Sequence, residues 1–195
     1  MNRRGGGKAS KDGIAAEDSK RIFEVTERSI NFMQEQVAPG KPFYLQASHY
    51  AVHLSIYFRE QTLAQTKQWE IGQKHNMPGF AAMTTDLDTG VGLVVEAAEA
   101  LGIMDNTYII FMSDNDGRTQ VPGQTESELT RNYPLRGGKQ SLYEGGVRVA
   151  FGCLSLLSRR ALAAEYPSLA PIFCPRWQTL QATQKPCQAI LTVAA

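Results

Sequence analysis

The sequence predicts an α/β fold, a sheet flanked by helices, and three observations predict it. Apolar residues recur at helical spacing in two long stretches, each stretch is followed by a short turn-bounded aromatic or β-branched run, and the resulting order is helix, strand, helix, strand. In the first stretch Ile22, Thr26, Ile30, Met33 and Val37 stand at intervals of 4, 4, 3 and 4, so Asp18 to Val37 reads as an amphipathic helix closed by Pro39-Gly40. Pro42 to Ser48 is aromatic-rich and turn-bounded, as a buried strand would be, and Ser48-His49-Tyr50-Ala51-Val52-His53 lies at its end. Phe80, Met83, Leu87, Val91, Val94, Ala98 and Leu101 then mark a second helix from about Gly79 to Leu101, stopping at Gly102. Thr107 to Ser113 is a continuous β-branched and aromatic run, suited to a strand covered on both faces. It runs out into Asp114-Asn115-Asp116-Gly117.

Composition narrows the function classes. The chain has 195 residues with 20 Lys+Arg against 19 Asp+Glu, enough for one domain with a real core and without the basic excess that nucleic acid or an anionic membrane calls for. No run approaches the roughly 18 apolar residues of a membrane span. The N-terminus has a basic start without an apolar stretch behind it, so no export signal is expected in this chain, and the compartment stays undetermined. Cys153, Cys174 and Cys187 show no CxxC spacing and indicate neither a zinc site nor a complete disulfide framework. Residues 151–195 hold all three cysteines, a single acidic residue (Glu165) and four of the nine prolines, a break from the composition before them. The first 17 residues read as a flexible lead-in.

In open α/β sheets ligands collect beyond the carboxyl ends of strands, and two such ends carry chemistry here. Asp114 and Asn115 offer hard oxygen ligands suited to Ca²⁺ or Mg²⁺, or else belong to a solvated turn. An EF-hand is excluded, because placing Gly117 at the sixth loop position makes Met112 the first ligand and Gly123 the twelfth. His53 sits beyond the earlier strand. In Leu135 to Val149 two glycine pairs bracket Lys139, which suits either an anion cradle or a glycine-rich hairpin with an exposed lysine. It is not a Walker A loop, since Tyr133 and Gln140 stand where glycine and Ser/Thr are required.

Taken together these segments resemble the formylglycine-dependent sulfatases of the alkaline-phosphatase-like superfamily. The likeness rests on the Tyr-Ala-x-His element ending at His53, the Asp-x-Asp-x-Gly-Val-Gly helix with its Asp-Asn-Thr turn, Ser113-Asp114-Asn115, and Pro-Leu-Arg-Gly-Gly-Lys followed by Tyr-Glu-Gly-Gly-x-Arg-Val, spanning about residues 18–150. It implies a mixed sheet flanked by helices and hydrolysis of a sulfate ester substrate, sulfated glycans included. By the same resemblance, Asp114 and Asn115 match two ligands of a divalent cation, usually Ca²⁺, Lys139 matches a lysine that contacts sulfate, and His53 matches a histidine that contacts sulfate and assists departure of the leaving group. His49 is expected to shape the pocket and His75 to be solvated, while Arg136 and Arg148 are either structural ion-pair formers or pocket cations.

The departures are equally specific. No Cys/Ser-x-Pro-x-Arg motif, whose first residue becomes the formylglycine nucleophile, occurs in the chain, and Cys174-Pro175-Arg176 has the wrong spacing. The family's early acidic metal ligands also lack a counterpart, so the metal site is expected to be incomplete. The sequence therefore predicts a partial sulfatase catalytic domain over 18–150, without its N-terminal half and inactive as this chain, followed by a divergent or frameshifted tail over 151–195 in which Leu154 to Ala164 could alternatively pack as a helix. Two other readings remain: a non-catalytic remnant that binds a cation or sulfated ligand, and a related phosphoester hydrolase. His53 and Lys139 are expected to face one cavity together with Asp114.

Overall fold

Asp18 starts the first long helix, accepting the backbone N–H groups of Phe23 at 3.1 Å and Glu24 at 3.0 Å on its two carboxylate oxygens. The structure, a computed structural model, describes residues 9–70, 76–120, 131–155, 158–163 and 188–194. Its elements in order are β1 (Ala9–Ser10), β2 (Gly13–Ala15), α1 (Ile22–Val37), β3 (Tyr44–His49), β4 (Tyr57–Phe58), α2 (Glu60–Thr66), α3 (Pro78–Ala100), β5 (Thr107–Ser113), α4 (Glu144–Val147), β6 (Phe151–Ser155), β7 (Ser158–Ala163) and β8 (Gln188–Ala194). One sheet runs β3-β8-β5-β6-β7 and a smaller one β1-β2-β4. Within the larger sheet β3, β8 and β5 are parallel, whereas β6 is antiparallel to β5 and β7 to β6, so the sheet is mixed as expected.

The two long helices and two strands read from the sequence are present. The α1 stripe buries Ile22, Thr26 and Met33, and α3 buries Met83, Leu87, Val94 and Ala98. Gly90 lets the two helices meet: a Cβ there would stand 2.7 Å from the Thr26 hydroxyl and 2.8 Å from the Ile22 side chain. Their shared core divides into one cluster around Ile22, Met83 and Leu87 and another around Met33, Val94 and Ile109. No helix among the described residues is long and apolar enough to cross a membrane.

Three differences from expectation have physical causes. β3 is an edge strand, so it buries alternate residues only: Ala47 and His49 face inward while Tyr44 is 60% exposed. Part of the stretch read as a flexible lead-in is ordered instead, because Gly13 adopts a φ of 130° and lets β1 turn onto β2, while Asp12 is buried and ion-paired with Lys67 at 2.9 Å. Within the tail, Ser158–Ala163 is a strand rather than part of a helix, and Gln188–Ala194 inserts between β3 and β5. A short apolar run carries no periodicity that separates the two states; its pairing partner decides.

The helical layer is held by a buried carboxylate. Asp86 of α3 is fully buried and accepts the Ser19 hydroxyl, Arg59 Nε at 3.0 Å and Nη2 at 2.6 Å, and the Thr62 hydroxyl at 2.7 Å. Arg59 in turn lies 4.1 Å over the Phe23 ring. A buried charge is tolerated when donors surround it, and these donors come from two separate segments, the Ser19 turn and the start of α2.

Candidate functional site

The loop leaving β5 is tied to the glycine-rich segment through backbone and one side chain. Ser113 donates its hydroxyl to the Asn115 carbonyl at 2.7 Å, and the Gly117 N–H donates to Asp116 Oδ1 at 2.7 Å, so the Asp-Asn-Asp-Gly stretch bends sharply as it leaves β5. The Gly117 carbonyl then accepts the Lys139 N–H at 2.9 Å. Asn132 Nδ2 lies 2.7 Å from that same carbonyl, 2.9 Å from the Gly145 carbonyl and 3.2 Å from the Gly137 carbonyl, sharing its two hydrogens among three acceptors. The glycine pairs make this approach sterically feasible. A Cβ on Gly138 would stand 2.9 Å from the Gly117 carbonyl oxygen, and one on Gly145 would stand 2.5 Å from the Gly137 oxygen.

This clamp brings three of the four sequence-predicted residues to one cavity. His53, Asn115 and Lys139 line a space of about 460 Å³; Asp114 is exposed and is not in its lining, and Asp116 contributes the carboxylate instead. Burial pushes the Asp116 carboxyl above its usual range, against the opposing pull of the Gly117 N–H and the Arg148 charge. His53 Nδ1 is 2.8 Å from the Leu54 carbonyl, which can only accept, so Nδ1 carries a hydrogen. Its ring stacks on Tyr50 with centroids 5.0 Å apart.

Two arginines in the lining, Arg118 and Arg131, were not read as site residues. The Arg131 guanidinium lies 4.1 Å over the Phe80 ring, and its Nη1 is buried without a hydrogen-bond partner among the described residues. Neither belongs to a motif; the basic side chains flanking Asp116-Gly117 and Asn132 were the sole available signal. Arg136 and Arg148 lie outside the lining, the first 3.9 Å over the Tyr143 ring and the second paired with Glu144 at 2.8 Å. His49 lies outside the lining, buried in β3 with neither ring nitrogen hydrogen-bonded, and burial pushes its pKa down against a smaller upward pull from Asp18. His75 and Cys174-Pro175-Arg176 fall outside the described residues.

The donors for a divalent cation are hard oxygens of the right chemistry but too few. No group of three or more His, Cys, Asp or Glu side chains able to hold a metal occurs among the described residues, and Asp114 with Asn115 supplies two ligands where such an ion takes about six. These residues do not by themselves form a resident metal site.

The chain is similar to known proteins over most of its described length. A family profile described as Sulfatase matches residues 12–151. A protein named Sulfatase from Formosa agariphila is 34% identical over 129 residues, covering 62% of this chain and 22% of the relative. N-acetylgalactosamine-6-sulfatase of Mus musculus is 30% identical over 123 residues, covering 63% and 21% respectively. The crystal structure of Ps i-CgsB in complex with k-i-k-neocarrahexaose superposes with a TM-score of 0.58 at 30% identity, covering 69% of this chain and 28% of that one. The chain thus spans about a fifth of the length of the curated relatives it matches.

Proposed function

The chain belongs to the sulfatase family, and from that premise we propose that it is a segment of a sulfuric ester hydrolase catalytic domain that supplies part of the sulfate-facing wall and is incomplete as a catalyst. The observation that carries this reading is the convergence of His53 and Lys139, 86 positions apart in sequence, on one cavity. The Lys139 ammonium neutralises charge on the sulfate oxygens as the S–O bond to the leaving group lengthens. His53, held by the Leu54 carbonyl through Nδ1, delivers a proton from protonated Nε2 to the departing oxygen. Asp114 and Asn115 are proposed as two ligands of a Ca²⁺ or Mg²⁺ site whose remaining ligands lie elsewhere in the full domain; a bound cation there would add charge neutralisation at the sulfate. Substrates of the sulfated-glycan class suit the reading, given relatives that include an N-acetylgalactosamine-6-sulfatase and a structure holding k-i-k-neocarrahexaose.

Without a Cys/Ser-x-Pro-x-Arg nucleophile the covalent route of the family is closed to this chain. The purified chain, assayed with an aryl sulfate and added Ca²⁺, is expected to match buffer while still binding inorganic sulfate, with affinity falling about tenfold in Lys139→Ala, the loss of roughly one charge-assisted hydrogen bond. Metal-dependent hydrolysis abolished by His53→Ala would overturn the incompleteness, and tighter binding of inorganic phosphate than of sulfate would favour a phosphoester hydrolase.

A further inference from the structure

The charge in the cavity exceeds what a single sulfate monoester can balance. Among the described residues Arg118, Arg131 and Lys139 line it against Asp116 alone, and the Asp116 carboxylate already accepts the Gly117 N–H. One sulfate monoester brings one negative charge, which leaves a cation over even with Asp116 ionised. The space is also several times larger than a sulfate group needs, at about 460 Å³.

Arg131 is the lining cation that keeps a spare donor among the described residues. Its guanidinium plane is fixed by stacking 4.1 Å over Phe80, which costs the fork its freedom to turn away. Its Nη1 is buried, with neither a carboxylate nor a carbonyl to receive it among the described residues. Burial also pushes its pKa below the ordinary arginine value, the mark of a charge stripped of water without a compensating anion. Arg59 shows how this chain treats a guanidinium whose role is structural: it also stacks on a ring, Phe23, but its Nε and Nη2 are both spent on Asp86. A guanidinium set over a ring and left with an unspent donor suits an oxyanion.

We infer that Arg131 is a specificity-determining residue that receives a second oxyanion of the substrate, a sulfate ester or a carboxylate, distinct from the sulfate ester held at His53 and Lys139. The inference rests on the sulfatase reading and deepens it: the preferred ligand is a polyanionic saccharide rather than a monosulfated one. No bond to Arg131 forms or breaks in the reaction; it fixes the substrate's position by charge-assisted hydrogen bonding.

The test is calorimetric titration of the full chain with three probes: galactose 6-sulfate, galactose 2,6-disulfate, and a disaccharide joining galactose 6-sulfate to glucuronate. The wild-type chain is expected to bind at least one of the two dianionic probes about tenfold more tightly than the monosulfate, and which one identifies the second group as sulfate or carboxylate. In Arg131→Gln that ratio should fall to about one, and Arg131→Lys, which keeps the charge and loses the planar fork, should give an intermediate ratio. A ratio is unmoved by a general loss of folded protein, so the readout separates recognition from stability. Wild-type preference that persists in Arg131→Gln, or no preference in a wild-type chain that binds the monosulfate, would overturn the inference and leave the sulfatase reading standing. Binding of no probe, or monosulfate binding indifferent to Lys139→Ala, would remove the sulfatase reading and the inference with it.

Discussion

Asp86 and Arg131 are two charges withdrawn from water in opposite circumstances. Around Asp86 the helical layer closes a network: the carboxylate is fully buried, and the Ser19, Arg59 and Thr62 side chains donate to it from two segments of the same chain. At the loop cluster beyond β5 the backbone is equally well held by Asn132, yet Arg131 keeps a buried donor without a partner among the described residues. The difference separates scaffold from site. Where the fold buries a charge for its own sake it supplies every partner, and where it leaves one unsupplied, the partner arrives from outside.

Breaking the closed network should produce the largest effect. Asp86→Ala leaves the mostly buried Arg59 guanidinium without its carboxylate and is expected to destabilise the chain by about 3–5 kcal/mol, read by urea denaturation. A loss below about 1 kcal/mol would mean that the network is not what holds α2 and the Ser19 turn against α3. Loosening the open cluster should cost less. Asn132→Ala removes hydrogen bonds to three carbonyls and is expected to cost about 1–3 kcal/mol, with inorganic sulfate binding weakened more than the helical core. Hydrogen exchange would check the localisation: amides of residues 137–146 should gain exchange while those of α3 stay protected.

The smallest effect sharpens the same contrast, because His49 is a buried polar group belonging to neither network. Its folded pKa lies below that of the unfolded chain, so as pH falls the unfolded state takes up the proton first. Stability is then full above the ordinary histidine value of about 6.5 and declines as pH drops toward the folded pKa. His49→Phe should flatten this acid limb and raise stability at pH 5 by about 1 kcal/mol, because it removes two buried nitrogens that lack partners. An acid limb unchanged in thermal melts of the variant would assign the pH dependence to another group.

The sequence made the long elements legible because each carries a pattern of its own. α1 and α3 were readable from their stripes, with Gly102 marking the stop of α3, and β5 from its continuous β-branched and aromatic run, whatever they pack against. α2 was not, since Glu60–Thr66 is short and without a stripe, and its place is set by Thr62 reaching Asp86, 24 positions away. At the site, His53, Asn115 and Lys139 were legible through motifs, whereas Asn132 was not, because its acceptors stand 5, 13 and 15 positions off and no local pattern announces them. Arg131 was invisible for a related reason. What distinguishes it is the absence of a partner, and that is a property of three-dimensional surroundings alone.

The central claim is that loops from distant parts of the chain form one sulfate-facing surface, and chemical-shift mapping tests it most directly. Inorganic sulfate titrated into the ¹⁵N-labelled chain is expected to shift the amides of His53, Asn115, Gly117 and Lys139 along a common binding curve, with Lys139→Ala weakening all four together. Shifts confined to other surfaces, or separate curves for His53 and Lys139, would contradict the account.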